Sequence, residues 1–157
     1  MQTVSPPVAA GILLAGDGGT VNVASGTYVE SNDIVIANDL TIIGELPTKP
    51  VITPNGNTNS AWFKVNNGAT LNLSNVVLDG DTNFVWTGIE ITGAKAAIDN
   101  GTSAISGECK RQPYRGIAVA VFGGDVPGGA GSAGSPPPAN LDLSNSTFNR
   151  LDVSVCW

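Results

Sequence analysis

Ala69-Thr70-Leu71-Asn72-Leu73-Ser74-Asn75-Val76-Val77-Leu78-Asp79-Gly80 is the stretch that decides the fold, because the chain repeats it in altered form. A shorter version stands at Asp39-Leu40-Thr41-Ile42-Ile43-Gly44, and a fuller one at Ala139-Asn140-Leu141-Asp142-Leu143-Ser144-Asn145-Ser146-Thr147-Phe148-Asn149. Leu40, Leu71 and Leu141 head the copies, 31 (71 − 40) and 70 (141 − 71) residues apart, and the longer interval has room for two turns of chain plus an insertion. Apolar and polar residues alternate within each copy, which is the period of a strand with one dry face. A unit this short buries its apolar side only against the next one, so the recurrence predicts stacked strands.

The flanking sequence extends the pattern in both directions. Thr20–Ala24, Gly26–Glu30, Asp33–Ile36 and Leu40–Ile43 are strand-length segments separated by Gly, Ser-Asn-Asp or Asn-Asp punctuation. Val51–Pro54, Ala61–Val65 and Ala69–Leu73 follow, with polar corners at 55–60 and 66–68. Asn and Gly at these corners tolerate the left-handed backbone that a tight bend demands. Further turns run through Gly88–Gly93, Ala96–Ile98, Ser103–Ile105 and Gly116–Phe122. The connections are too short for helical crossovers, and a coil winding round its own core fits them. Trp62 and Phe63 are adjacent, so regular alternation sends one of them outward.

At 157 residues the chain reads as one domain, 1–157, with an N-terminal cap over residues 1–19. Pro6-Pro7 ahead of Val8–Ala15 and Gly16-Asp17-Gly18-Gly19 behind it mark one or two helical turns, placed to cover the first end of the stack. Residues 123–139, rich in Gly and Pro, read as a loop insertion. Leu151–Trp157 alternates like a strand and stops without a polar cap, an open edge suited to self-association.

Charge narrows the partners. Thirteen acids against seven bases give a net charge of −6, which argues against nucleic acid, and no apolar run is long enough to span a bilayer. Histidine is absent, and the two cysteines, Cys109 and Cys156, stand apart, as two thiols or as one bridge. Zinc chemistry and histidine acid–base catalysis are thereby excluded.

Gly18–Glu30, continuing through Ile34–Gly44, resembles the first coil of the pectin-lyase-like superfamily, and Gly68–Gly80 is similar to the repeat of its bacterial surface and adhesin-like members. The resemblance covers roughly residues 17–157 without the loop and implies an all-β, right-handed parallel β-helix, a solenoid with a short N-terminal capping helix. It further implies an extracellular or cell-surface location. Gly26-Thr27-Tyr28-Val29-Glu30 matches the Gly-x-Tyr-x-Glu of pectin methylesterases, but the esterase motifs of the later coils are missing. The superfamily's polysaccharide lyases use an Arg or Lys base beside calcium-binding carboxylates. Asp79-Gly80-Asp81 is the one tightly spaced Asp pair; calcium needs six to eight oxygens, and a turn rich in Asp and Gly is the simpler account. Trp86 lies close to that pair and offers a stacking face for a sugar.

With no catalytic constellation in the sequence, the expectation is a non-catalytic structural or adhesive module without a required cofactor, self-associating through its uncapped end. A carbohydrate-active β-helix, a polysaccharide lyase or sugar-binding protein using Asp79, Asp81 and Trp86, is the alternative.

Overall fold

The computed structural model describes residues 7–66, 68–106, 117–122 and 139–149. One short helix, α1 (Val8–Ala15), precedes strands that pair only in parallel among those residues. The first pass of chain makes β1 (Gly19–Val23), β2 (Thr27–Glu30) and β3 (Ile34–Ile36). The second makes β4 (Leu40–Gly44), β5 (Val51–Pro54) and β6 (Thr58–Val65). The third makes β7 (Thr70–Ser74) and the long β8 (Val77–Thr92). After these come β9 (Lys95–Asp99), β10 (Thr102–Ser106) and β11 (Ile117–Phe122), and then β12 (Asn140–Ser144) and β13 (Thr147–Asn149).

Strands from successive passes lie side by side in three ladders. The first ladder runs β1-β4-β7-β9-β12, the second β2-β5-β8-β10-β13, and the third joins β3, β6, β8 and β11. Each pass therefore visits the ladders in the same order, an arrangement compatible with an all-β parallel solenoid. The repeated phrase supplies the register. Leu40, Leu71, Ala96 and Leu141 are successive partners, and so are Val21, Ile42, Leu73, Ile98 and Leu143. Ile34, Phe63, Ile89 and Val119 form the matching column of the third ladder. A one-residue slip would turn each of these columns to solvent, so alternation pins the pairing.

The corner between the first and second ladders repeats as well. Asn75, Asn100 and Asn145 hold left-handed backbone, with φ of 58°, 50° and 48°. The Asn100 side-chain amide donates to Asn75 Oδ1 at 2.8 Å, and Lys49 Nζ donates to Asn100 O at 2.6 Å and to Asn100 Oδ1 at 2.8 Å. Gly44 holds the equivalent place one pass earlier, following Ile43 as Asn75 follows its partner Ser74. A Cβ there would sit 2.0 Å from the Asn75 carbonyl oxygen and 2.7 Å from Pro50 Cδ, so only glycine fits.

α1 lies against the first pass. Val8 is buried, and Ala9, Ile12 and Ala15 pack on the core. A Cβ on Gly11 would lie 3.0 Å from Val21 Cγ1, so the residue that weakens the helix also lets it approach β1. The orphan amides at its first turn find a distant partner: Val8 N and Ala9 N both donate to the carboxylate of Glu30, which is 1% exposed. The Tyr28 hydroxyl donates to Ala24 O at 2.9 Å. The phrase Gly26–Glu30 thus serves to lock the first pass and hold the helix on it.

Two expectations fail. Trp62 and Phe63 are both buried, at 0% and 3% exposure, with ring centroids 5.3 Å apart and planes tilted by 49°. The register of β6 against β8 shifts between Thr58 and Ala61 but runs in step from Ala61 to Val65, so Ala61 and Phe63 share one face and Trp62 is buried on the other. Asp79-Gly80-Asp81, read as a turn, instead lies within β8. The irregularity shows on the neighbouring strand, where Ala104 pairs with Asp79 but Ser106 pairs with Phe84.

Candidate functional site

The clearest unsatisfied surface among the described residues is the last rung, β12 and β13. β12 pairs with β9 and β13 with β10, and each stands last in its ladder. Their positions are tightly set. Asn140 N donates to Ala94 O at 3.0 Å, and Thr147 N donates to Gly101 O at 2.9 Å. At the corner between the two strands, Ser144 Oγ and Asn145 Nδ2 donate to Asp99 Oδ1 at 2.7 and 3.0 Å. Ser146 Oγ donates to Ser144 O at 2.8 Å and accepts from Gly101 N at 3.3 Å. The hydroxyl of Ser144, then the amide of Asn145, hold the Asp99 carboxyl below the usual aspartate range.

On this rung no described strand is stacked beyond β12 and β13. Leu143 is 44% exposed, whereas its column neighbours Ile98 and Leu73 are each 5% exposed. Leu141 is only partly buried at the end of the other column. Leu151–Trp157, expected to be the open edge, lies outside the described residues, as does the loop expected at 123–138.

The sequence-derived ligand residues are spread along one strand. Asp79 is half-buried in β8 beside Ala104, and Trp86 is half-buried farther along, between the partners of Thr58 and Ala61. The side chain of Asp81 lies outside the described residues, as do Cys109 and Cys156. Of the other acids, Asp99 accepts from Ser144 and Asn145, and Asp142 is exposed on β12. Among the described residues no three acids, cysteines or histidines come together to hold a metal ion. No helix among them is long and apolar enough to cross a membrane.

Sequence reasoning missed Glu30, Lys49 and Asn100. The signal for Asn100 was present: Ala96-Ala97-Ile98-Asp99-Asn100 is another copy of Leu71-Asn72-Leu73-Ser74-Asn75, hidden because alanine replaces leucine. The tie from Glu30 to the helix crosses 22 positions and leaves no local trace. Compared with protein-family models, with curated proteins and with solved structures, the chain matches none of them.

Proposed function

We propose that this chain is a non-catalytic structural or adhesive module of the extracellular or cell-surface kind, a right-handed parallel β-helix of pectin-lyase-like type that self-associates through its uncapped C-terminal end. The repeating coil and the right-handed preference of parallel crossover connections support the handedness. The observation that carries the function is the contrast along one column, where Ile42, Leu73 and Ile98 are sealed and Leu143 is bare. Full burial of a leucine side chain is worth about 1.5–3 kcal/mol, so covering the exposed part of Leu143 contributes roughly 1 kcal/mol per copy, besides strand pairing.

Polysaccharide is the adhesive partner that the family likeness suggests, with Asp79, Asp81 and Trp86 as its contacts.

The test is sedimentation velocity of the whole chain and of Leu143→Asp across a concentration series. The parent is expected to associate, and the variant to keep its far-ultraviolet dichroism while its dissociation constant rises at least tenfold. A parent that stays monomeric throughout would remove the self-association reading.

A further inference from the structure

We propose that the outer side of α1 is a docking surface for a partner protein, which lays a basic amphipathic helix across it. α1 reads Val8-Ala9-Ala10-Gly11-Ile12-Leu13-Leu14-Ala15 and contains no charged or polar side chain. Its inner side meets the core through Val8, Ala9, Ile12 and Ala15. Its outer side carries Leu13 and Leu14, exposed by 86% and 87%. Surface helices normally turn charged residues to water, and an apolar patch left there marks a contact.

The leucines do not stand alone. Beside Leu13 lies an open recess of about 160 Å³, lined also by Ile12, Val35 and Asp39, and Val35 is itself half exposed. On the other flank a recess of about 200 Å³ runs past Ala10, Leu14, Val21 and Tyr28. α1 is therefore a ridge with a largely apolar furrow on each side. Side chains at i, i+3, i+4 and i+7 of another helix fit such relief.

Charge selects the partner. Residues 1–48 hold five acids and no lysine or arginine. Asp17 follows the helix and Asp39 borders the first recess, both exposed. Asp39 Oδ1 accepts from Thr70 N, and Asp17 Oδ1 accepts from Asp39 N, backbone donors that do not neutralise either carboxylate. Of the described lysines, Lys64 is held by Asp33, Lys49 by Asn100, and Lys95 lies on β9, a strand beyond Thr70. The last turn of α1 has no basic residue, so its carbonyl end adds partial negative charge beside the leucines. A second copy docking by this face would bring the same acids to the contact. A basic amphipathic helix complements both features, its apolar face on the ridge and its cations on the acids.

Fluorescence anisotropy tests this on the whole chain with two labelled peptides of one helical pattern, leucine and lysine in one, leucine and glutamate in the other. The leucine–lysine peptide is expected to bind about tenfold tighter or more, and to weaken as salt rises. Leu13→Ser/Leu14→Ser alters side chains that solvent already surrounds, and should cost about tenfold; Leu143→Ser, on the last described rung, should cost nothing. In the unsubstituted chain, amide NMR shifts on adding the peptide should gather on α1 and on Val35–Asp39, and leave β9 and β12 unmoved. Equal binding of the two peptides, unchanged binding by the α1 double variant, or shifts away from α1 would overturn the proposal. Capture of the chain by phosphatidylcholine vesicles in place of the peptide would also overturn it, and make α1 a lipid contact. A chain that stays monomeric leaves it standing, since it does not rest on self-association.

Discussion

The two ends of the stack meet the same physical problem in opposite ways. At the first end, β1 would expose its apolar side, and a helix of eight residues covers it. That helix is weak by itself, with a glycine in its centre and no local side-chain cap, and it is held because Glu30 reaches into its first turn. At the last described rung, β12 and β13 are fixed by hydrogen bonds at Asp99, Ser144 and Ser146, and Leu143 is exposed. One end uses polar contacts to hold an apolar cover. The other uses polar contacts to hold an apolar surface open. Edge strands are normally blunted by charge, proline or a covering element, and α1 is such an element for β1.

The sharpest way to break this contrast is truncation within one column. Ile98→Ala removes methylenes from a sealed position and is expected to cost about 2–5 kcal/mol. Leu143→Ala, one rung further, should cost less than about 1 kcal/mol in dilute monomer, because solvent already reaches the side chain. Urea denaturation of both variants at low protein concentration gives the comparison. Equal losses would mean that the last rung is sealed in solution.

The next effect concerns the cover. Glu30→Ala leaves the amides of Val8 and Ala9 without their acceptor and empties a buried site, a loss of about 1–3 kcal/mol. The protection of those two amides against hydrogen exchange should fall, while that of β7 and β9 should hold. If the whole stack loosens together, the helix is part of one cooperative unit with the sheets and not a separable lid.

These ends were unequally legible in the sequence. The strands were plain because alternation is a local signal that packing reinforces: Leu71-Asn72-Leu73 and Leu141-Asp142-Leu143 announce the inward face directly. The helix at Val8–Ala15 was legible from its proline and glycine brackets, and its place over the first rung followed from topology. Glu30 was not, since a buried carboxylate bound to backbone amides 22 residues away looks like any charged strand residue. The expectation of one dry face failed at Ala61-Trp62-Phe63, where both faces of β6 are buried, and the turn expected at Asp79-Gly80-Asp81 is strand with irregular pairing. The candidate site was legible only as the idea of an open end. How many passes stack was harder to read, because alanine stands at Ala96 where the other copies carry leucine.

The smallest effect separates the ends by the origin of their electrostatics. Near the first end, Lys64 Nζ lies 2.7 Å from Asp33 Oδ1, and this partner, then the Ser60 hydrogen bond, holds the Asp33 carboxyl below its usual range. Near the last end, Asp99 is lowered first by the neutral donors Ser144 and Asn145. Both groups titrate lower in the folded chain than unfolded. Their stabilisation is therefore complete above the unfolded value of 3.8 and fades as pH falls through the depressed folded values. Both are solvent-accessible, so each contribution is small. Salt tells them apart: raising ionic strength should bring the Asp33 titration, followed by carboxyl NMR, back toward that of a free aspartate, because screening weakens a charged partner. Asp99 should move less, since a hydroxyl and an amide are not screened in that way. Equal shifts at the two positions would mean that Lys49, whose Nζ binds Asn100 beside Asp99, governs the last corner as Lys64 governs the first.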